Sequence, residues 1–483
     1  MSKILIPTGL RRCINMIKQI LLILLVFVFL CGCTLAPKYI QPKAPIPAEW
    51  PQGGAYKDVQ ELSGTVIVPE LSRQEFFSDE HLQKIIEMAL DNNRDLRLAA
   101  LNVEKARALY GVQRAELFPV VNATGGGGKQ RRSSDFIGPG ESRIAKRYNV
   151  GIGVAAWEID FFGRIRSLKD QALEEYLATD EARRSAQIAL VAEVARVYLT
   201  LGADRENLKL ARSTLTTQQA AYNLIRRQYD VGVAAELDLR RAQIPVDTAE
   251  GDVARLTQMT AQDKNALTLL AGSAVPEELL PVDLASIHPP KEIFPGLSSA
   301  ALLNRPDIMA AEHQLKGAYA FIGAARAAFF PRISLTTSIG TASDELSGLF
   351  GSGAGTWNFG PQVGVPIFDA RTWAAYRVSK AQRKIALTRY EKTIQTAFKE
   401  VADALAVQGT VDQQVSAQQS LTNAVADTYR LSNIRYTKGI DSYLGVLDAQ
   451  RSLYAAQQGL ISLRLAKLAN QVRLYAVLGG GGE

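Results

Sequence analysis

Few side chains in this 483-residue chain are spaced for covalent chemistry. His81, His288 and His313 are scattered, with no His-x-x-x-His or comparable spacing that would hold a metal. The run Gly125-Gly126-Gly127-Gly128-Lys129-Gln130 carries the glycines and lysine of a phosphate-cradling loop. It lacks the first glycine at the required spacing and the Ser or Thr after the lysine, so a hairpin loop is the better reading. Met88, Met259 and Met309 form no cluster with histidine that would relay a soft metal. No enzyme, no metal site and no bound cofactor is expected. One reactive group does stand out, the Cys33 thiol, and its place beside an apolar run suggests modification rather than catalysis.

Residues 1–32 contain Lys3, Arg11, Arg12 and Lys18 but no acidic residue, and the apolar run 20–30 follows. A basic start and a short apolar stretch read as a secretory signal, too short to span a bilayer comfortably. The stretch ends Leu30-Cys31-Gly32-Cys33-Thr34, a small residue before cysteine, which resembles a bacterial lipobox. That resemblance implies cleavage before Cys33, a covalent lipid on it, and sorting to the outer membrane, since no aspartate follows. An ordinary secretory signal with a chance cysteine is the alternative. Cys13 and Cys31 leave with the signal, so the mature chain has no disulfide. The net charge of +7 loses the signal's positive charges and falls to about +3, which removes any charge-based case for nucleic acid.

The rest of the chain is written twice. Ala115-Glu116-Leu117-Phe118-Pro119 returns as Ala327-Ala328-Phe329-Phe330-Pro331, and Asn93-Arg94-Asp95-Leu96 as Asn304-Arg305-Pro306-Asp307-Ile308. Tyr229, Gly232, Leu237, Ala242 and Gln243 return, at one spacing, as Tyr436, Gly439, Leu444, Ala449 and Gln450. Copies of this length are domain-sized halves. After a proline-rich arm (33–78), the first copy covers 79–272, a linker 273–296, the second copy 297–478, and a tail 479–483.

Each copy must position its residues with the same series of elements. A helix over 81–117 stops at Pro119. Strands follow at 119–126 and 148–160 around a polar glycine-rich loop, 125–147, making a hairpin over 119–160. The second copy has strands at 331–340 and 357–368 around a loop at 341–356, a hairpin over 331–368. Strands of about ten residues can cross a bilayer when tilted. Tyr148, Trp157, Phe161, Phe162, Trp357, Phe359 and Phe368 gather near strand ends, as in an aromatic girdle, although a soluble hairpin would carry such residues equally well. Proline-free helices then run over 164–230 and 372–438. Roughly 65 residues at the helical rise reach roughly 100 Å, a length that asks for coiled-coil packing. Gly232 and Gly439 mark turns into return helices, 237–270 and 443–477, and Pro245 should kink or break the first of these.

One chain supplies four strands, and an open sheet leaves edges that lipid does not tolerate. A narrow barrel needs about eight strands, so membrane insertion demands a homo-oligomer. The repeats, the Phe-Pro strand starts, the segment from Trp157 to Arg164, Val365-Pro366-Ile367-Phe368-Asp369, the stretch from Tyr436 to Gln450 and the glycine-rich end after Leu474 together resemble the TolC superfamily. The likeness is greatest to its lipoprotein branch, the OprM/CusC/NodT outer-membrane factors, and covers essentially the whole mature chain. It implies a mostly α fold with a membrane β-barrel: a coiled-coil α-barrel tunnel reaching into the periplasm, and a twelve-stranded barrel completed by trimerisation. It implies an exit duct for small toxic compounds in a tripartite pump, with a periplasmic adaptor and an inner-membrane transporter of the resistance-nodulation-division (RND) type as partners.

The resemblance places a gate at the helical tips. There Tyr436, Leu444 and Asp448 would line the constriction, Leu444 as an apolar ring that dewets and Asp448 as an acidic ring. Acid pH would then change conductance as the repelling carboxylates protonate. Some relatives carry a further acid where this chain has Gly445, so a doubled acidic ring is not expected. Taken alone, Asp448 reads as a solvated carboxylate and Leu444 as coiled-coil core. The first copy has Arg240-Arg241 where the second has Leu447-Asp448. That divergence suits one hairpin that gates and one that docks. Val231, Gly232, Leu237, Gly439 and Ile440 are the expected adaptor contacts. A TolC-like duct for type I protein secretion and a structural lipoprotein without a pore are the other readings.

Overall fold

The fold is described from a computed structural model, which covers residues 34–56, 66–67, 72–133, 135, 137–294 and 298–480. The expected signal 1–32 and the expected acylation site Cys33 lie outside the described residues, as does most of the tail. The order of elements is β1 (Val66–Ile67), α1 (Arg73–Phe76), α2 (Glu80–Asn92), α3 (Arg94–Ala115), β2 (Val121–Arg131), β3 (Ile144–Ile159), α4 (Arg164–Asp230), α5 (Glu236–Ala271), β4 (Ile293–Phe294), α6 (Pro306–Ala327), β5 (Arg332–Ser343), β6 (Gly355–Gly364), α7 (Ala370–Thr437) and α8 (Tyr443–Val477). Two compact units divide the chain. One comprises residues up to 42 with 103–178 and 311–389, the other 43–102 with 179–310 and 390–483.

The first unit holds an antiparallel sheet of order β2-β3-β5-β6, so the two hairpins meet where β3 pairs with β5. Alternation sorts its side chains into two sets. One face carries Tyr148, Val150, Ile152 and Val154 on β3, Leu335 and Ile339 on β5, and Trp357, Phe359 and Val363 on β6. The other carries Asn149, Ser334, Ser338, Asn358 and Gln362 between glycines. A bulge between Val154 and Trp157 inserts an extra residue, with Ala156 at φ +52°. It restores Trp157 and Ile159 to the apolar face, where Trp157 opposes Leu335. Ile339 and Trp357 are 71% and 79% exposed, so among the described residues nothing covers this part of the face.

The hairpin loops are shorter than the sequence suggests. Gly125 to Arg131 and Ile144 to Arg147 are strand, and only 132–143 connects them. The glycines belong to the ladder because Gly127 faces Tyr148, whose ring would stand 3.0 Å from an added Cβ. In the second hairpin the strands reach Ser343 and resume at Gly355. Phe359 lies mid-strand, paired with Thr337, and not at a strand end as expected.

The segment Trp157 to Arg164 turns strand into helix. Glu158 accepts two hydrogen bonds from Arg164, at 2.8 and 3.0 Å, and Asp160 accepts from the Arg166 backbone N–H at 2.8 Å. Asp369 repeats the device, accepting from the Arg371 N–H at 2.9 Å. On the helices of this unit the arm is tied down by Arg326, which donates to the Leu35 carbonyl at 3.0 Å, and by Tyr39, which donates to Glu312 at 3.0 Å.

The second unit holds most of the buried apolar residues. On α7 the buried residues Tyr390, Ile394, Ala397, Val401, Ala404 and Val411 are spaced by threes, fours and a seven, a heptad seam. On α4, Val191, Val194, Tyr198 and Leu201 continue the same spacing. Phe76 stacks on Tyr475 at 4.3 Å between ring centres. Asp79 caps α2 by accepting from the Leu82 N–H at 2.9 Å and also receives the Tyr198 hydroxyl. The helix expected over 81–117 is two helices, α2 and α3, interrupted at Asn93. Asn93 accepts from the Leu96 N–H and donates to the Leu270 carbonyl, each at 2.9 Å, so it caps one helix while docking on α5. In the second copy Arg305 holds Asp307, Glu400 and the Val477 carbonyl. Pro245 does not break α5, which is assigned as one helix of 36 residues.

Asp204 on α4 and Asp263 on α5 are neighbouring carboxyl groups, each with a buried Oδ2 that meets no hydrogen-bond partner among the described residues. Burial raises both, and the neighbouring Asp204 further lifts Asp263, to about 6. A raised acid binds its proton more tightly in the folded chain, so its contribution is most favourable at low pH. That contribution is lost as pH rises from about 4 through about 6. Asp263→Asn should therefore raise the midpoint of thermal unfolding at pH 7.5 and leave it little changed near pH 4. Equal shifts at both pH values would contradict a raised Asp263 carboxyl.

Candidate functional site

The residues expected to act at the helical tips lie at the turns between α4 and α5 and between α7 and α8. The turns share one geometry. Gly232 and Gly439 adopt φ of +78° and +71°, which only glycine meets without strain. Their N–H groups donate to Tyr229 and Tyr436 carbonyls at 2.9 and 2.8 Å. The next N–H groups, of Val233 and Ile440, reach back to Gln228 and Arg435 at 2.8 and 2.9 Å. This paired pattern is a Schellman cap, and it consumes the last carbonyls of each long helix.

The caps leave apolar side chains in solvent. Val231 is 74% exposed and Val233, Leu237 and Ile440 are also exposed. The second tip is further braced, since Arg435 holds Asp441 through two hydrogen bonds at 2.5 and 3.1 Å. That contact keeps the Asp441 carboxyl below its ordinary range. The Tyr436 and Tyr443 rings lie 5.1 Å apart, and burial pushes the Tyr443 hydroxyl up to about 12.

Beyond this tip, Leu444 and Asp448 are one helical turn apart on an exposed stripe of α8, while Val446, Leu447, Ala449 and Gln450 turn inward. Leu444 is thus not coiled-coil core within the chain. Asp448 does not stand alone. Arg451 approaches it at 3.5 Å, so the stripe pairs an acid with a base. Sequence reading missed this partner, although the i, i+3 spacing signals it.

Arg241, the counterpart of Asp448 in the first copy, lines a cavity of about 480 Å³ between α5 and α8, together with Pro245, Leu447 and Gln450. Its far side is closed by Tyr454, which donates to Asp252 at 3.2 Å. Burial, then the Asp252 charge, raises the Tyr454 hydroxyl to about 12. Arg255 holds the same Asp252 at 3.1 Å. No sequence signal marked this contact, because it depends on how two helices distant in sequence align.

The histidines are not gathered. His313 bonds Glu174 at 2.6 Å, and His288 meets Asp79 mainly through its backbone N–H, at 3.2 Å. Among the described residues no group of three or more His, Cys, Asp or Glu is placed to hold a metal.

Comparison with known proteins agrees with this arrangement. The family model described as outer membrane efflux protein matches residues 85–273 and 297–480, one segment in each copy. The chain is 48% identical, over 468 residues and 96% of each sequence, to the toluene efflux pump outer membrane protein TtgC of Pseudomonas putida. A crystal structure of a membrane protein from Pseudomonas aeruginosa superposes with a TM-score of 0.86 at 40% identity, covering 93% of this chain and 98% of that one. The open state of the Neisseria gonorrhoeae MtrE outer membrane channel superposes at 0.82 with 37% identity, covering 93% and 98%. The chain therefore belongs to the outer membrane efflux protein family.

Proposed function

We propose that three copies of this chain form the outer-membrane exit duct of a tripartite efflux system, gated at the periplasmic tips. The observation that carries this reading is the sheet. It has an apolar exposed face, a polar opposite face and two open edges, β2 and β6. Lipid suits the first, a water-filled lumen the second, and closure against neighbouring copies satisfies the third. Four strands from each of three chains give a barrel wide enough for an aqueous interior. The long helices would continue the lumen as a coiled-coil tunnel into the periplasm. Acylated Cys33 would add a lipid anchor beside the barrel, and no other cofactor is needed. Relatives named for toluene efflux support small toxic compounds as cargo.

In such a trimer the stripe with Leu444 and Asp448 faces its symmetry mates around the axis. Leucines converging there would exclude water, and each Asp448–Arg451 pair lies along its own helix beside them. Arg451 offsets part of the acidic ring's charge. Opening would separate these groups without breaking a covalent bond. The exposed apolar tips around Val231, Gly232, Leu237, Gly439 and Ile440 would dock a periplasmic adaptor, which links the duct to an RND transporter in the inner membrane. That transporter supplies the energy.

In planar bilayers the wild-type protein should show a small conductance, and Asp448→Ala combined with Arg451→Ala should raise it severalfold. An unchanged conductance in the double variant would remove the gate from this stripe. Val231→Glu with Ile440→Glu should leave that conductance unaltered yet abolish drug efflux in cells; full efflux would remove the docking role. Labelled palmitate should enter the wild-type protein but not Cys33→Ala, and equal labelling would exclude acylation there.

A further inference from the structure

The apolar face of the sheet ends in positive charge. Along β3 it runs Val154, Ile152, Val150, Tyr148 and then Lys146. The register sets Lys146 opposite Lys129 on β2, and Arg131 follows two residues on, so all three basic residues share the face of Tyr148 and Val150. Lys146 lies about 7 Å beyond Tyr148 along the strand, at the rise of an extended chain. All three are exposed. Two like charges placed directly opposite each other disfavour the pairing unless an anion offsets them. Among the described residues, no salt bridge takes up Lys129, Arg131 or Lys146. Asp135, Glu141 and Asp344 stand on the connecting segments, and Asp344 lines, with Lys129 and Lys146, a hollow of about 590 Å³.

We propose that Lys129, Arg131 and Lys146 form a binding surface for the phosphate groups of anionic lipids in the outer leaflet. The inference rests on the membrane-barrel reading, which makes the face of Val150, Ile152 and Trp357 the lipid-facing one. Continuity with that face selects a lipid over a soluble anion. The same side chains that leave the hydrocarbon band are the ones that reach headgroup depth. Lysine and arginine form charge-assisted hydrogen bonds to phosphate oxygens, and Arg131 offers a planar fork to two of them. The acyl chains of the same lipid would lie over Tyr148 and Val150. Arg147 provides an internal control: it is at the same level and touches the same hollow, but by alternation its side chain belongs to the opposite face.

The test compares full-length protein purified in detergent with two variants, Lys129→Gln/Arg131→Gln/Lys146→Gln and Arg147→Gln. The probes are lipid A with both phosphates, dephosphorylated lipid A and inorganic phosphate. A basic residue near an anionic surface contributes roughly fivefold to binding, so the triple variant should retain at least about tenfold less lipid A than wild type. Arg147→Gln should retain as much as wild type. Lipid A should raise the melting temperature of the wild-type oligomer, and the other two probes should not. Equal retention by the triple variant overturns the proposal, as does equal stabilisation by inorganic phosphate, which would indicate a soluble-anion site. Insertion into liposomes separates the two readings. If wild type and variants insert but lipid A is indifferent, this inference alone fails. If none inserts, the membrane reading fails with it.

Discussion

An extended strand at the edge of a sheet presents a row of backbone N–H and C=O groups without partners. In this chain β2 and β6 both do so, and the face between them is apolar and uncovered. In water such a sheet is an aggregation hazard, and in lipid each unsatisfied group costs several kcal/mol. No rearrangement within one chain closes four strands on themselves. The need to pair those edges is therefore the constraint from which the proposed trimer, its lumen and its tunnel follow. The bulge at Ala156 serves the same end, since without it the residues of β3 from Trp157 onward would exchange faces.

The two copies keep their backbone and change their charge. Both tips end in the same glycine cap with the same hydrogen bonds, so either hairpin could have served either role. What differs lies one to two turns further along. The first copy has Arg240 and Arg241 where the second has Leu447 and Asp448, and only the second tip carries the Arg435–Asp441 brace. A duplicated scaffold with divergent side chains at equivalent positions suits a wall in which one surface meets itself around an axis and the other meets a different protein.

The long helices were legible because proline is absent from each for more than sixty residues and a glycine stands two residues beyond each end. The glycine caps were legible for the same reason. The strand lengths were not. Gly125 to Gly128 look like loop until Tyr148 is seen to need the space above Gly127. Asn93 gives no sign that it both caps α3 and binds α5, a role set by a contact 177 residues away in sequence. Pro245 reads as a break, yet the packed helix tolerates it. At the candidate site Leu444 and Asp448 were marked by the family resemblance; spacing alone read Leu444 as coiled-coil core, where the structure leaves it exposed. The contact of Tyr454 with Asp252 joins residues of different copies and was not legible.

The face assignment of the sheet carries the whole account, and one measurement addresses it directly. Nitroxide labels placed one at a time over residues 356–364 of the reconstituted protein would report collision with oxygen, which concentrates in lipid, and with a water-soluble nickel chelate. The account predicts a period of two: oxygen dominates at Trp357, Phe359, Pro361 and Val363, and nickel at Asn358, Gly360 and Gln362. Uniform nickel access along the strand, or the inverse alternation, would contradict a lipid-facing apolar face and with it the closed membrane barrel.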